Sequence, residues 1–307
     1  MPDPMPDPIP LASLPDALSP AALVVVEQQD QGRVRERQED SCWAQRVGRS
    51  PVALLVVADG MGGQRGGDVA SRAAVESAVA TLRPLLNSIY PVPTLRLPGE
   101  APLPAEPFPW EPKRKPGHYD LTPAADRRDL LLRTLEQVVA DANAAVRAAA
   151  TAIDALDDAG CTFTLAVIVG RALYLAHVGD SRAYLWRQAQ LRPLTLDHSG
   201  AAALVAAGVA TPEEARQLPA AHQLYRYLGG APAQAKPDIT EFELAPDDVL
   251  LLCSDGLWDM LPEAEIARLL LAHSELDALA AALIEAANAA GGEDNISVVL
   301  ARIGGDA

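Results

Sequence analysis

Apolar runs of strand length that end in an acidic residue are the clearest feature of the hydrophobic and polar pattern in this chain. Residues 52–58 have no polar face, and this pattern predicts a strand that is buried on both sides. Asp59 follows the run, and a charge is costly inside such a strand, so its carboxylate is expected where the chain leaves the core. Gly60, Gly62 and Gly63 come next and allow the backbone to approach a ligand closely. A turn capped by Asp59 is the alternative interpretation.

The same patterns predict the remaining elements and a mixed fold. Apolar positions at three- and four-residue spacing predict helices over residues 66–86, 126–153, 263–272 and 276–290. Alternating or continuous apolar patterns predict further strands over residues 21–28, 41–45, 161–169, 172–178, 181–187, 239–244, 249–254 and 295–303. Residues 197–218 are expected to form a short helical flap that breaks at Gly208. Strands in hairpin order between long helices are typical of an α+β domain, in which packed antiparallel β-sheets are covered by helices.

Two proline-rich segments interrupt these patterns. Residues 1–20 carry proline at short intervals and predict a disordered arm. Residues from about 90 to 118 are also rich in proline and predict a loop inserted between two helices. The expected organisation is therefore the arm followed by one domain over residues 21–305 that contains the insertion. The insertion is interpreted either as a variable loop or as a docking element for a partner.

Composition and charge exclude several classes of protein. Acidic residues outnumber basic ones by 41 to 25, and the net charge of -16 argues against binding to nucleic acid or to an anionic membrane surface. Cys42, Cys161 and Cys253 lie far apart, which predicts buried thiols in a reducing compartment rather than a disulfide framework or a zinc site. No apolar run approaches the ~20 residues of a membrane span, and no signal peptide is recognised, so a cytoplasmic location is predicted.

The pattern of a strand followed by an acid recurs along the chain. Asp180 and Asp255 each follow an apolar run, Asp294 precedes the last one, and Glu39 and Asp40 precede the second strand. Acids from such distant positions meet only if their strand ends lie at one edge of the sheets. Crowded carboxylates repel one another unless a cation compensates them, and without a matching His or Cys set the pattern indicates Mg²⁺ or Mn²⁺. The alternative is that each Asp caps its own turn.

Seven short motifs occur in order along the chain. They are RxxQED at 35–40, VADGMGG at 57–63, GCTFT at 160–164, VGDSRAY at 178–184, LTLDHS at 194–199, LCSDGL at 252–257 and GEDNIS at 292–297. Together they resemble the protein phosphatase 2C (PP2C, or PPM) family of metal-dependent protein phosphatases, bacterial type, across roughly residues 22–303. Any one motif is weak, but all seven in the family's order are specific. The resemblance implies a four-layer αββα fold, a β-sandwich flanked by helices.

The resemblance also implies the principal metal ligands. In this family pattern Asp59 would bridge two Mn²⁺ or Mg²⁺ ions, and the backbone carbonyl of Gly60 would bind one of them. Asp255 and Asp294 would complete the protein ligands of the second ion. The stretch that follows the buried strand is thereby expected to hold the metal pair through one carboxylate and one backbone oxygen.

Further roles follow from the same resemblance. Glu39 and Asp40 would act close to the metal pair, partly through coordinated waters, and Asp180 would help to hold a third, weaker ion. Arg35 would bind the substrate phosphate through two of its guanidinium nitrogens. Together with Asp59 it belongs to the expected catalytic residues. The flap at 197–218 would lie beside the site and influence the choice of substrate.

The function that the resemblance implies is hydrolysis of phosphoserine and phosphothreonine on proteins. Two cations would activate a water for in-line attack, so no covalent phospho-enzyme is needed, which agrees with the absence of a cysteine nucleophile motif. The expected partners are phosphorylated proteins and a Ser/Thr kinase that the enzyme opposes, and the protein is expected to be a monomer. One alternative is a catalytically weak scaffold or signalling protein that uses the fold for binding. A two-metal phosphodiesterase or nuclease is disfavoured by the acidic charge and the motif order.

Several positions depart from the family pattern. Met61 stands where many eukaryotic members carry a histidine that is proposed as the general acid, although Met is usual in bacterial members, so the proton donor stays open. His177 and His198 are tempting substitutes, but His177 is expected to pack on its strand and His198 to anchor the flap. Gln38 replaces a more usual Asn. No expected metal carboxylate is missing, and the chain is therefore interpreted as an active enzyme.

Overall fold

The structure is a computed structural model. It describes residues 23–47, 52–62, 66–89, 124–153, 159–211, 214–215, 217–218, 223–231 and 234–304. The arm predicted over residues 1–20 and the insertion predicted at about 90–118 lie outside these residues, so both stay predictions, as do the domain limits at 21 and 305. Within the described part of the chain, no helix has the length and apolar character needed to cross a membrane.

Twelve strands in the described residues form two five-stranded antiparallel sheets and one small pair. The first sheet has the order β1, β12, β11, β8, β9, and the second has the order β10, β7, β6, β3, β2, while β4 pairs with β5. The strands are β1 Val24–Asp30, β2 Ser41–Arg46, β3 Val52–Ala58, β4 Gly60–Met61, β5 Gly160–Cys161, β6 Phe163–Val169, β7 Ala172–Val178, β8 Arg182–Arg187, β9 Gln190–Pro193, β10 Asp238–Glu243, β11 Val249–Cys253 and β12 Ile296–Arg302.

Helices cover the outer face of each sheet. In the described ranges they are α1 Gly67–Ile89, α2 Ala124–Ala152, α3 Gly200–Ala206, α4 Asp255–Trp258, α5 Glu263–Ala272 and α6 Leu276–Ala289. The apolar faces of α1 and α2 pack on the second sheet, and those of α5 and α6 pack on the first. A third cluster of apolar side chains fills the space between the sheets. The α+β class and the packed antiparallel sheets flanked by helices are therefore confirmed.

Strand β3 shows why its sequence lacks a polar face. Leu54 and Val56 point to the helical layer formed by α1 and α2. Leu55 and Val57 alternate with them and point to the layer between the two sheets. All seven residues of the strand are buried, because each of its faces meets an apolar layer. Only at Asp59 does the chain reach the edge of both layers.

Several predicted boundaries differ from the observed ones. The strand predicted over 161–169 is divided at Thr162, because Cys161 pairs with β4 while β6 begins at Phe163 in the main sheet. Strand β9 and helix α4 were not predicted, since both are short. The predicted hairpin between β6 and β7 is confirmed, and Gly170 at its turn has a φ of 60°, which favours glycine.

Candidate metal centre

The predicted site carboxylates all lie at strand ends along one edge of the two sheets. They are Glu39 and Asp40 before β2, Asp59 after β3, Asp180 between β7 and β8, Asp255 after β11 and Asp294 before β12. The strand registers bring these ends side by side, with Ser41 opposite Ala58, Phe163 opposite Val178 and Arg182 opposite Cys253. The expectation that distant acids converge at one edge is thus met by the geometry.

Asp180 lies where the chain passes from one sheet to the other. Strand β7 belongs to the second sheet and β8 to the first, and Gly179 and Asp180 form part of the short connection between them. Gly179 has a φ of 109°, and a Cβ at this position would lie 2.7 Å from the Cβ of Thr162. Both the backbone angle and the close approach require glycine, so the connection holds Asp180 at the junction of the sheets.

Asp59 is fixed by its backbone. Its N–H donates to the hydroxyl of Thr162 at 2.8 Å, and its carbonyl oxygen accepts from the N–H of Thr162 at 2.9 Å. The Thr162 hydroxyl in turn shares a 2.7 Å hydrogen bond with the Ser181 hydroxyl. The carboxylate is therefore carried by a backbone that is tied to the connection between the sheets, and its position does not depend on a free loop.

Gly60 lies in a small three-stranded ladder that closes this part of the site. It pairs with Cys161, and Cys161 forms a further antiparallel bridge with Leu228. A Cβ on Gly60 would overlap the backbone oxygens of Gly67 and Glu39. Only glycine allows the start of α1 and the Glu39 backbone to pack this close to the Gly60 carbonyl group.

The electrostatics of the cluster are those of carboxylates that lack a compensating charge. Burial first, and then the charges of Asp255, Asp40 and Asp180, raise the pKa of Asp59 well above its usual value. Burial, followed by the charges of Asp255 and Asp197, likewise raises the pKa of Asp180. The contact between the Asp59 and Asp255 side chains raises the pKa of Asp59 further. These acids therefore lie close enough for the charge of each to oppose the ionisation of the others.

Asp40 is the most completely enclosed of the predicted residues. Its Oδ2 accepts hydrogen bonds from the Ser254 hydroxyl at 2.7 Å and from the Ser297 hydroxyl at 2.8 Å. Its N–H donates to the Gln38 side-chain oxygen at 3.1 Å, so the unusual Gln at this position still supports the turn. Burial, together with the charges of Asp255 and Asp294, raises the pKa of Asp40 to about 8 against the opposing effect of the two serine hydroxyls.

Glu39 and Arg35 lie on the more open side of the cluster. The Glu39 N–H donates to the Asn295 side-chain oxygen at 2.7 Å, which joins the second strand's entry to the Asp294 turn. Burial, and then the charges of Asp68 and Asp294, raise the pKa of Glu39, while the guanidinium of Arg35 opposes the rise. Arg35 itself forms an ion pair with Asp294 at 2.5 Å.

The donor set fits hard divalent cations, although the cluster is not a finished cage. Within the described ranges, no three Asp, Glu, His or Cys side chains stand in a geometry that holds a metal ion as it is. The ion pair between Arg35 and Asp294 contributes to this, because it engages a carboxylate that a cation would otherwise bind. Crowded oxygen donors of this kind suit Mg²⁺ or Mn²⁺, whose charge would favour the ionised carboxylates.

The two histidines near the site have structural surroundings. His177 is buried, shares a hydrogen bond with the Thr164 hydroxyl at 3.0 Å and another with the backbone oxygen of Leu196 at 3.1 Å. Burial lowers the pKa of His177 to about 3, with His198 adding to the effect, so the ring is neutral near pH 7. His198 bonds to Asp238 at 2.9 Å. Both contacts agree with the expected packing and anchoring roles, and neither ring is poised to donate a proton.

The flap is tied to the cluster by a stacked cation. Arg182 binds Asp197 through Nε at 3.0 Å and Nη2 at 2.8 Å, and its guanidinium carbon lies 3.6 Å from the centre of the Trp258 ring. Trp258 donates from its indole N–H to the backbone oxygen of Asp180 at 3.0 Å. Farther along, Ser199 near the start of the flap forms an antiparallel bridge with Leu224, which lies beyond the end of the flap.

Sequence reasoning did not identify several of these supporting residues. Thr162, Ser254, Asn295 and Ser297 hold the predicted acids, yet each is a common polar residue whose partner is distant in the chain. The available signal was their position, since all four lie inside the seven motifs, and Ser254, Asn295 and Ser297 lie within three residues of a predicted acid. Trp258, one turn after Asp255, carried no such signal.

Comparisons with known proteins point to one family. The profile of the Protein phosphatase 2C family matches residues 31–300. Serine/threonine phosphatase Stp of Listeria innocua is 33% identical over 274 residues, which cover 88% of this chain and 92% of that relative. Serine/threonine protein phosphatase PstP of Mycobacterium tuberculosis is 33% identical over 274 residues, which cover 89% of this chain and 44% of PstP.

Solved structures give the same result. The S. agalactiae serine/threonine phosphatase superimposes with a TM-score of 0.71 and 29% identity, covering 92% of this chain and 99% of that one. The catalytic domain of PstP, solved in complex with two manganese ions, gives a TM-score of 0.68 and 32% identity, with 92% of this chain and 98% of that one covered.

Proposed function

The chain belongs to the protein phosphatase 2C family, and from this premise we propose that the acidic edge of its two sheets is the metal centre of a serine/threonine protein phosphatase. Metal-dependent phosphatase activity follows from the family and from relatives that are named serine/threonine phosphatases. The observation that carries the assignment of the site is the close approach of Asp59 to Asp255, Asp40 and Asp180, whose charges all raise its pKa. Carboxylates that oppose one another's ionisation in this way are what a pair of cations would stabilise.

The proposed ligands follow from the positions of the acids. Asp59 would bridge the two ions, the carbonyl oxygen of Gly60 would bind one, and Asp255 and Asp294 would bind the other. When bound, divalent cations supply a nucleophilic water near neutral pH and neutralise the phosphoryl oxygens. The chain itself contributes rigidity, because two hydrogen bonds to Thr162 fix the backbone of Asp59.

The remaining acids lie around this pair. Glu39 and Asp40 would act partly through ordered water, and Asp180 at the junction of the sheets would help to hold a third, weaker ion. Both Asp40 and Asp180 are buried, and the charge of Asp255 acts on each of them, which supports their place in the same cluster. The manganese in a PstP structure favours Mn²⁺, and Mg²⁺ is the alternative.

Arg35 is proposed to bind the phosphate of the substrate. Its side chain is about half exposed, so a phosphate at the mouth of the site can reach it. A guanidinium holds two phosphate oxygens at once, which orients the phosphorus for attack from the opposite side. Its present partner is Asp294. A phosphate that took the place of Asp294 on Arg35 would leave the Asp294 carboxylate available to a cation.

The substrates are proposed to be phosphoserine and phosphothreonine proteins, and the opposing partner a Ser/Thr kinase. The relatives named serine/threonine phosphatases support the first proposal. A monomer and a cytoplasmic location are also proposed. The free thiols of Cys42, Cys161 and Cys253 support a reducing compartment.

Hydrolysis of a small aryl phosphate tests the assignment directly. The full chain is expected to turn over this substrate with Mn²⁺, to lose the activity in EDTA and to regain it when Mn²⁺ is restored. A phosphoserine peptide then tests the substrate class. An inactive chain in every divalent metal, with intact fold by circular dichroism, would favour the scaffold interpretation.

A further inference from the structure

A pair of serine hydroxyls engages one oxygen of Asp40 from two different strands of the first sheet. Ser254 follows β11 and Ser297 belongs to β12, and both residues are fully buried. Each hydroxyl donates to the same carboxylate oxygen, Oδ2, at 2.7 and 2.8 Å respectively. Asp40 enters from the other sheet, just before β2, so the contact joins the two sheets at the proposed metal edge.

Each hydroxyl donates its proton to Asp40, because its other short contact is with a donor. The Ser254 oxygen accepts from the backbone N–H of Ser297 at 2.9 Å, and the Ser297 oxygen accepts from the side-chain N–H of Gln29 at 3.0 Å. Both of these partners are obligate donors, so neither hydroxyl can turn its proton toward them. A second acceptor for Ser254, the backbone oxygen of Asn295, lies at 3.4 Å and competes poorly with Asp40.

Two fixed donors on one oxygen also decide what the other oxygen does. A carboxyl group is planar, and with Oδ2 held twice the Asp40 group cannot rotate without breaking a short hydrogen bond. The second oxygen, Oδ1, is then left in a single orientation. The charges of Asp59, Asp255 and Asp294 all act on Asp40 or are acted on by it, so this carboxylate belongs to the same cluster.

We propose that Ser254 and Ser297, with Gln29 behind Ser297, are positioning residues that present Asp40 to the metal centre through Oδ1 alone. This inference rests on the proposed function, because it takes Asp40 to act at that centre. The physical effect is pre-organisation: a carboxylate that is already oriented loses no rotational freedom when a cation or its water binds.

Isothermal titration of the metal-free full chain with Mn²⁺ tests the proposal without any measurement of turnover. Ser297→Ala and Ser254→Ala are each expected to weaken Mn²⁺ binding about 10- to 100-fold, the range for residues that orient a metal ligand. Gln29→Ala removes only the outer donor from an exposed position and is expected to weaken binding about threefold. Thr195→Val deletes another buried hydroxyl, one that accepts from Ala183, and is expected to leave Mn²⁺ affinity unchanged.

A double-mutant cycle separates positioning from a general loss of stability. In an Asp40→Asn background, Ser297→Ala is expected to have no further effect on Mn²⁺ affinity, because the group through which it acts has changed. Equal Mn²⁺ affinity for Ser297→Ala, Gln29→Ala and the unmodified chain would overturn the inference. It would also be overturned if Ser297→Ala weakened Mn²⁺ binding as much in the Asp40→Asn background as in the unmodified chain. If the unmodified chain binds no Mn²⁺, the metal centre itself is wrong and this inference falls with it.

Discussion

Arg35 donates from Nη2 to Asp294 Oδ2 at 2.5 Å, so the proposed phosphate-binding residue and a proposed metal ligand hold each other in this structure. The pair is partly exposed and adds little to stability by itself. Its significance lies in exchange, since phosphate offers Arg35 a second partner and a cation offers Asp294 one. Substrate and metal are therefore expected to favour each other's binding.

Replacement of Arg35 separates these two effects. Arg35→Ala is expected to lower kcat/KM for a phosphoserine peptide about 100-fold, because a bidentate charged contact with phosphate is lost. Mn²⁺ affinity measured by titration is expected to hold or to improve, since Asp294 loses its competitor. The matched control is Arg268→Ala on α5, where an exposed pair with Glu265 is removed far from the site. A drop in Mn²⁺ affinity in Arg35→Ala would contradict the exchange.

Asp59→Asn and Asp255→Asn test the ligands that carry the assignment. Each is expected to reduce turnover about 1000-fold or more, because an amide oxygen cannot supply the charge that holds the cations. The metal-free melting temperature is expected to stay the same or to rise, since one member of a crowded group of acids is removed. Asp129→Asn, on an exposed part of α2, serves as the control. Full activity in either site variant would refute the two-metal assignment.

The stability of the metal-free protein is expected to fall as pH rises. Asp40, whose pKa is about 8, together with Asp59 and Asp180, whose pKa values are also raised, keeps its proton in the folded state at pH values where the unfolded chain has lost it. The folded state therefore binds more protons, and the free energy of unfolding decreases between about pH 4 and pH 8.

Thermal denaturation at several pH values, with and without Mn²⁺, measures this slope. The decrease is expected in EDTA and is expected to shrink with saturating Mn²⁺, because the cation favours the ionised acids. Asp59→Asn should also reduce it. A metal-free protein whose stability rises steadily from pH 5 to pH 8 would show that these carboxyl groups are ionised without compensation.

Two glycines with left-handed backbone angles give a matched test of the connection between the sheets. At Gly179 the φ is 109° and an added Cβ would lie 2.7 Å from Thr162, whereas at Gly208 the φ is 68° and no atom lies within 4 Å. Gly208→Ala is expected to cost about 1 kcal/mol from backbone strain alone. Gly179→Ala is expected to cost more in urea denaturation and to reduce activity. Equal losses would mean that the close approach to Thr162 relaxes freely.

The sequence predicted those features that follow directly from the chemical character of a residue or of a short run. The unbroken apolar run of β3 predicted burial on both faces, and acids at the ends of such runs predicted a common edge, because a charge cannot stay inside. The short elements were missed for the opposite reason. Two residues of β4 carry no period, and the helix that begins at Asp255 is a single turn that follows a strand directly.

The partners of the acids were also beyond reach from the sequence. Ser254 and Ser297 contact Asp40 across more than 200 positions, and no local pattern distinguishes a serine that orients a carboxylate from one that faces solvent. The same holds for Arg35, whose sequence position indicates phosphate binding but whose contact with Asp294 depends on the fold. Such pairings arise from topology, which brings the strand ends together only after both sheets have formed.

The bridge between Ser199 and Leu224 has a consequence for how this molecule can diversify. It holds together the two ends of the segment between these residues. Leu228, four positions beyond Leu224, forms the second bridge, with Cys161. Lengthening a closed loop costs only about 0.6 kcal/mol for each doubling of its length. Insertions between Ser199 and Leu224 are therefore expected to cost little stability, while the hydrogen bonds that hold the acidic edge stay in place.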